Sequence, residues 1–373
     1  MDQPEIKLDS IEDALRDIKK GNVVIVVDDE DRENEGDFIC AAEKITPAIV
    51  NFMATVGRGL ICAPILESRA NELGLTLMVD NNTALYETAF TVSVDLLGHG
   101  CTTGISAYDR AMTIKALSQD SFAASDFSKP GHIFPLIAKQ GGVLRRTGHT
   151  EAAIDLARIA GLKPVGALVE ILNEDGSMAR LPQLVNVAKK YELKIISIKD
   201  LVAYRMKNER LIELENKIEV NTKTGKRIVY SFRQLLTGDL HFAIVFGDIY
   251  PEDDVLVKVY SHTLITEAFR FMFDHNNTPI EKVVNKFREE NSGILLFMRQ
   301  REKDNLILEK IKRMESDLPH SDDKDMENRD FGIGAQILIE LGVKNVRLIS
   351  SNPVRKIALK GYGLEIKEIV SLD

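Results

Sequence analysis

Apolar positions in the first 200 residues come in two rhythms. Short β-branched or alternating runs at 22–27 (NVVIVV), 59–63, 88–95 (TAFTVSVD) and 165–172 read as strands. Between them, helical spacing starts at capping signals: Thr46 before Pro47, Ser106 with Asp109, and Thr150 with Glu151, the last helix closed by Gly161. Such a mixture predicts α/β rather than an all-helical or all-strand fold. From 200 to 226 the texture changes to a charged, helix-like stretch with few long apolar runs, and the domain boundary is placed there, giving domains 1–205 and 206–373. Beyond it, strands are expected at 240–246, 255–260, 293–298 and 345–350, and helices around Glu267, around Glu281 and over 332–341. An Asp-rich stretch at 315–330 reads as a polar loop, and no internal repeat is present. The expectation is a two-domain α/β (α+β) protein.

Composition narrows the function classes. At 373 residues the chain is too long for one ordinary domain, and 44% hydrophobic residues suffice for sizeable cores. No apolar stretch approaches the roughly 20 residues that span a bilayer, and residues 1–10 are too polar for a signal peptide. A cytoplasmic protein without a membrane partner is expected. The net charge of −9 argues against nucleic acid, which needs clustered Lys and Arg. Cys40, Cys62 and Cys101 are too scattered for a disulfide framework, and none follows Cys101. Reduced, mostly buried thiols are expected.

Residues 28–37 read DDEDRENEGD, seven carboxylates and one Arg directly after an apolar strand. The run is either a solvated face or a hard-cation site, because Mg²⁺ takes oxygen ligands and keeps waters that a substrate displaces. In the second case Arg32 anchors a phosphate or carboxylate. His149, in RRTGHTEAA, stands at a helix start where Arg145, Arg146, Gly148 and Thr150 together cradle an anion. It is either a capping decoration or a metal ligand. His132, in KPGHIFPL, reads as a turn histidine or as a proton carrier. Glu170 ends the apolar run VGALVE; a carboxylate buried there is either ion-paired or an acid–base group whose pKa burial raises.

In this order, DDEDRENEGD, GLICAP, TAFTVSVD, TTGISAYDRA, GHIFPL, RRTGHTEAAIDLA and VEILNEDG resemble 3,4-dihydroxy-2-butanone 4-phosphate synthases over about residues 6–204. The resemblance implies conversion of D-ribulose 5-phosphate to L-3,4-dihydroxy-2-butanone 4-phosphate and formate in riboflavin biosynthesis. It implies Mg²⁺ or Mn²⁺ and a homodimer with the site near the interface. By motif position, Glu33 and His149 hold the metal, and His132 and Glu170 are catalytic. Arg32, Glu33, Asp37, Arg146, Thr147, Gly148, His149, Thr150 and Glu170 meet the substrate. Glu35, Cys62 and Thr103 fall in pocket-lining segments.

Residues from about 208 to 373 resemble GTP cyclohydrolase II through FAIVFGDI, VLVKVYS, GILLFMRQ, RDFGIGAQILIELGV, VRLISSNP and LKGYGLEI. That family holds zinc with three cysteines, and here the matching places carry Thr263, Asp274 and Asn276. His262 and His275 lie nearby but off the ligand positions. The family's RQEGRG becomes residues 299–304, RQREKD; its catalytic Asp becomes Glu327, the following Arg persists as Arg329, and Ser350 and Arg355 replace Thr and Lys. The expectation is a synthase fused to a cyclohydrolase-like domain without zinc or activity; the alternatives are a bifunctional enzyme that also opens GTP, or a second domain that serves as a nucleotide-binding or assembly module.

Overall fold

The computed structural model describes residues 7–371 apart from 30–31, 85, 87, 223–224, 236, 261–278, 300–327 and 351–363. Two compact units, Met1–Arg205 and Met206–Asp373, each contain a mixed sheet of seven described strands. Helices flank the sheets, the mixed α/β class expected from sequence.

In the first unit, strands β1 (Val24–Val27), β2 (Gly36–Ala41), β3 (Cys62–Leu66), β4 (Val94–Leu96), β5 (Phe127–Ala138), β6 (Gly166–Glu170) and β7 (Ile195–Ser197) take the order β4-β5-β3-β6-β2-β1-β7. The helices are α1 (Ile11–Lys20), α2 (Pro47–Phe52), α3 (Glu67–Glu72), α4 (Ala107–Leu117), α5 (His149–Ile159), α6 (Leu181–Tyr191) and α7 (Ile198–Asn208). Every residue of β1 and β2 is buried. Side-chain alternation along a strand then decides which residues meet which helices. Phe38 and Cys40 join Ala167, Val169, Val50, Met53 and Ile114 in one core, against α2 and α4. Asp37 alternates to the other side, where α5 packs on β2, β3, β5 and β6. Glu170 pairs with Asp37 across β2 and β6, so the two carboxylates share that side.

Two of the expected caps are formed: Thr46 Oγ1 accepts from the Ile49 N–H at 3.2 Å and Ser106 Oγ from the Asp109 N–H at 3.0 Å. The third differs. Helix α5 begins at His149 with Gly148 as its N-cap, and Thr150 is already inside the helix and buried. The run at 88–95 yields only the short β4, with Phe90 and Thr91 in isolated bridges, because the β4–β5 register shifts between Val94 and Asp95.

In the second unit, β8 (Ile212–Thr222), β9 (Gly225–Gln234), β10 (Leu240–Phe246), β11 (Asp254–Tyr260), β12 (Gly293–Phe297), β13 (Asn345–Ile349) and β14 (Glu365–Val370) take the order β14-β13-β11-β12-β10-β9-β8. Helices α8 (Pro279–Glu290) and α9 (Asn328–Glu340) accompany them. Phe246, Leu256, Val283, Phe287 and Leu295 form a core. The helix-like reading of 200–226 holds only as far as Asn208, for 212–222 is a strand. Ile212, Leu214, Ile218 and Val220 do alternate, but the intervening charges hid the period. Residues 328–330 open α9 rather than a loop. The helix expected around Glu267 lies outside the described residues, as do 315–327, Thr263, Asp274, Asn276, His262, His275, Arg301, Glu327 and Arg355. No described helix is long and apolar enough to cross a membrane.

Candidate functional site

Asp28, the first residue after β1, folds the acidic loop around itself. Its Oδ2 accepts from Arg32 Nη1 at 2.9 Å and the Glu33 N–H at 3.1 Å, and its Oδ1 from the Glu35 N–H at 2.8 Å. A carboxylate satisfied this way fixes a loop that seven acidic groups would otherwise splay. Glu33 is thereby held toward the start of α5. Its Oε2 lies 2.5 Å from Arg32 Nη1 and 3.8 Å from His149 Nδ1.

His149 Nε2 lies 3.1 Å from the Val26 carbonyl oxygen. A carbonyl can only accept, so Nε2 carries a proton and Nδ1 is the nitrogen that faces Glu33, free for a cation once its own proton is displaced. The 3.8 Å gap is too long for a hydrogen bond. Adjacent ligands of one octahedral cation stand about 3 Å apart when metal–ligand bonds are near 2 Å, so Glu33 and His149 need close by less than an ångström to share one. Ligand atoms of Asp28, Glu33 and His149 all fall within 4.8 Å of one another. Both Asp28 oxygens are committed to the loop, whereas among the described residues the Glu33 carboxylate is held by Arg32 alone and faces His149, so Glu33 and His149 are the pair placed to take a cation.

The pocket carries more negative charge than its own cations balance. Burial pushes Asp37 up to about 7 against the pull of His149, with Glu170 and Glu35 adding to the rise. Its Oδ1 is buried with no hydrogen-bond partner. Burial alone would lower His149, yet the charges of Asp37, Asp28 and Glu33 outweigh it and carry the ring up to about 9. Burial also raises Glu35, and the neighbouring Glu33 adds to it. A carboxylate, an imidazole and an orphaned buried oxygen beside them suit a divalent cation with bound water or substrate oxygens.

Glu170 departs from the sequence expectation. It is only partly buried, because β6 ends there, and its Oε2 accepts from the Leu60 N–H at 2.8 Å. The close approach depends on Gly59, where a Cβ would stand 2.5 Å from the same oxygen. Cys62 is buried nearby, and burial with the Glu170 and Asp37 charges drives its thiol well above the usual range. It is a neutral wall rather than a nucleophile.

At the start of α5, Arg146 is held from three sides. Nη1 donates to Glu151 at 2.7 Å, Nε and Nη2 to the Tyr86 carbonyl at 3.2 and 3.1 Å, and Nη2 to Thr88 Oγ1 at 3.1 Å. Tyr86 also reaches the acidic loop, donating its hydroxyl to the Arg32 carbonyl at 2.7 Å while the Arg32 guanidinium lies 4.8 Å over its ring. Arg146, Thr147, Gly148 and Thr150 thus surround a helix N-terminus, which favours an anion.

His132 belongs to a different contact set. Its ring is 43% exposed, and its described hydrogen bonds all go to Asp95: the backbone N–H at 2.8 Å and Nδ1 at 2.7 Å. The carboxylate places the proton on Nδ1 and leaves Nε2 as the reactive nitrogen. Arg32, Glu33, Asp37, His149 and Glu170 are therefore gathered around β1, β2, β6 and α5, with Arg146 to Thr150 at the helix start, while His132 stands with Asp95. Thr103 is exposed, in the loop before α4.

Sequence reasoning missed Asp28 as the loop's organiser, Asp95, Glu151 and Tyr86. Asp95 and Glu151 sit inside quoted motifs, and an acid ending a strand beside a histidine motif was a usable signal. Nothing around Tyr86 marked it. In the second unit, the described member of the RQEGRG match, Arg299, donates its N–H to His241 Nδ1 at 3.1 Å.

Comparison with known proteins gives a consistent result. The sequence profile of 3,4-dihydroxy-2-butanone 4-phosphate synthase matches residues 12–204, and that of GTP cyclohydrolase II matches residues 213–371. The chain is 51% identical to riboflavin biosynthesis protein RibBA of Cytophaga hutchinsonii, over 99% of its own length and 93% of the relative's. It is 46% identical to RibBA of Parabacteroides distasonis over the same shares. Among solved structures it is similar to RibBX, a two-domain 3,4-dihydroxy-2-butanone 4-phosphate synthase from A. baumannii, with 36% identity, TM-score 0.77, and 97% and 99% of the two chains covered. A 3,4-dihydroxy-2-butanone 4-phosphate synthase in complex with two magnesium ions matches 54% of this chain and 98% of its own, at 41% identity and TM-score 0.52.

Proposed function

The chain belongs to the 3,4-dihydroxy-2-butanone 4-phosphate synthase family, with a GTP cyclohydrolase II-family domain behind it, and we propose that only the first of these activities operates. In this reading it is a riboflavin-biosynthesis lyase that turns D-ribulose 5-phosphate into L-3,4-dihydroxy-2-butanone 4-phosphate and formate. The observation that carries it is the Glu33–His149 pair, its ring oriented by the Val26 carbonyl and its flank formed by buried Asp37.

Mg²⁺ or Mn²⁺ held by Glu33 and His149 would act as a Lewis acid toward the substrate oxygens. Arg146, Thr150 and the first amides of α5 bind the phosphate, and Thr147 and Gly148 shape its cradle. Arg32 and Asp37 take the sugar hydroxyls. Loss of the proton beside the ketose carbonyl, loss of water and return of protons after rearrangement all need positioned acids and bases. Glu170, oriented by the Leu60 amide, and His132, oriented by Asp95, exchange those protons. A second copy of the chain completes the particle by covering apolar residues exposed near the His132–Asp95 pair, among them Leu97 and Ile105. The protein works in the cytoplasm, without nucleic acid or membrane.

The second unit is proposed to be silent because three thiolates are needed for the zinc and every cysteine of the chain lies at or before Cys101. The similar RibBX, a two-domain 3,4-dihydroxy-2-butanone 4-phosphate synthase, supports this. Purified protein incubated separately with ribulose 5-phosphate and with GTP, each with Mg²⁺ or Zn²⁺, tests both halves. Formate from ribulose 5-phosphate with Mg²⁺, and none from GTP, is expected. GTP turnover with stoichiometric zinc would refute the silent second unit; no formate from ribulose 5-phosphate would refute the synthase.

A further inference from the structure

We infer that Asp155 and Arg205 are positioning residues for the substrate phosphate, setting the turn from which Arg146, Thr147 and Gly148 reach the site. This rests on the reading that residues 146–150 hold the phosphate. Asp155 lies on α5 beyond His149, and Arg205 lies on α7. Their side chains are 3% and 2% exposed, and Arg205 is among the largest fully buried side chains. A buried ion pair is a poor way to stabilise a fold, since an apolar pair of similar volume does as well or better. Its use here calls for another reason, and the partners supply one.

Asp155 Oδ2 accepts from Arg205 Nη1 at 2.8 Å and from the Val143 N–H at 2.7 Å. The same Nη1 donates to the Gly141 carbonyl at 2.7 Å. A carbonyl and an amide on either side of Gly142 are thus pinned by one pair. Gly142 has φ +62°, and a Cβ there would collide with the Asp155 carboxylate, so the turn is shaped around the pair. The Gly142 carbonyl in turn accepts the N–H groups of Arg145 at 2.8 Å and Arg146 at 3.1 Å, and the Arg146 carbonyl accepts from Gly148 at 2.9 Å. A continuous chain of hydrogen bonds therefore runs from Arg205 to the N-cap of α5.

The test uses the full chain with Arg205→Met, Arg205→Lys and Asp155→Asn. Three quantities are read: KM and kcat for ribulose 5-phosphate, competitive inhibition by inorganic phosphate, and Mn²⁺ affinity. Displacing the cradle by a fraction of an ångström is expected to raise KM about tenfold in Arg205→Met, with the phosphate inhibition constant rising in parallel and kcat changing less. Mn²⁺ affinity is expected to hold, because Glu33 and His149 are tied to β1 instead. Arg205→Lys keeps the charge but not the fork, and is expected to recover part of the KM. Unchanged KM in folded variants overturns the inference, as does a joint loss of kcat, KM and Mn²⁺ affinity, which marks a merely structural role. If Arg205→Met does not fold, Arg205→Lys and Asp155→Asn decide by the same criterion. Arg146→Ala separates the two claims: unchanged KM there refutes the phosphate cradle itself rather than the pair that positions it.

Discussion

In the first unit Asp37, His149, Glu151, Asp155 and Arg205 are all buried, and each is bonded to, or acts on, another member of the site. In the described part of the second unit, the ion pairs Lys226–Glu219, Arg233–Glu215 and Lys286–Glu289 join side chains that are each at least 36% exposed. Exposed pairs are worth about 0–1 kcal/mol and are gained or lost with little consequence. A buried charge left without its partner costs several times more, so a set of them persists only where each member is held by the rest. Arg347 and Glu290 of the second unit, 26% and 25% exposed, lie between these extremes, so the contrast is one of degree: only the first unit's set is fully buried among the described residues.

Removing the proton carriers gives the sharpest break. Glu170→Ala and His132→Ala are each expected to lower kcat about 10²- to 10⁴-fold with folding intact by circular dichroism. Near-normal turnover in either would take that residue out of the chemistry. A smaller effect follows from Glu33→Gln, which is expected to weaken Mn²⁺ binding about 10- to 100-fold in a titration. Unchanged affinity would move the metal away from the acidic loop. An effect of comparable size, on stability rather than on activity, belongs to the second unit, where buried His241 is neutral, its Nδ1 accepting from Arg299 and its Nε2 facing Gln234 Oε1 at 3.2 Å. Burial lowers it from 6.5 to about 4. The unfolded chain thus takes up this proton near pH 6.5 and the folded chain only near pH 4. Stability contributed above pH 6.5 is lost as pH falls through that window, by roughly 2–3 kcal/mol. Melting curves from pH 7 to 4.5 should show the loss, and His241→Gln should flatten it; equal slopes would exclude His241 as the cause.

Local pattern and distant pairing divide what the chain reveals. Thr46 and Ser106 were legible as caps because the bonds they make span three residues. The acidic loop, His149 and Glu170 were legible as residue types in motifs. Glu170 was nevertheless expected to be buried, since nothing local says that β6 stops there. Asp95 lies 37 residues from His132, and Tyr86 lies 54 from Arg32; such pairings have no periodic signature. The strand at 212–222 shows the opposite failure, where the correct alternation was present but dense charge made it look helical.

The cysteine distribution has a practical consequence. Cys40 and Cys62 are buried, and Cys101 is the partly accessible thiol of the three. A maleimide fluorophore added to the folded protein therefore goes chiefly to a loop ahead of α4, although burial and nearby Asp109 make that thiol less reactive than a free one. With Cys101 replaced, one cysteine introduced at an exposed position of the second unit becomes a site-specific optical reporter, and candidate nucleotides and flavins can be screened against that half of the protein without any assay of turnover.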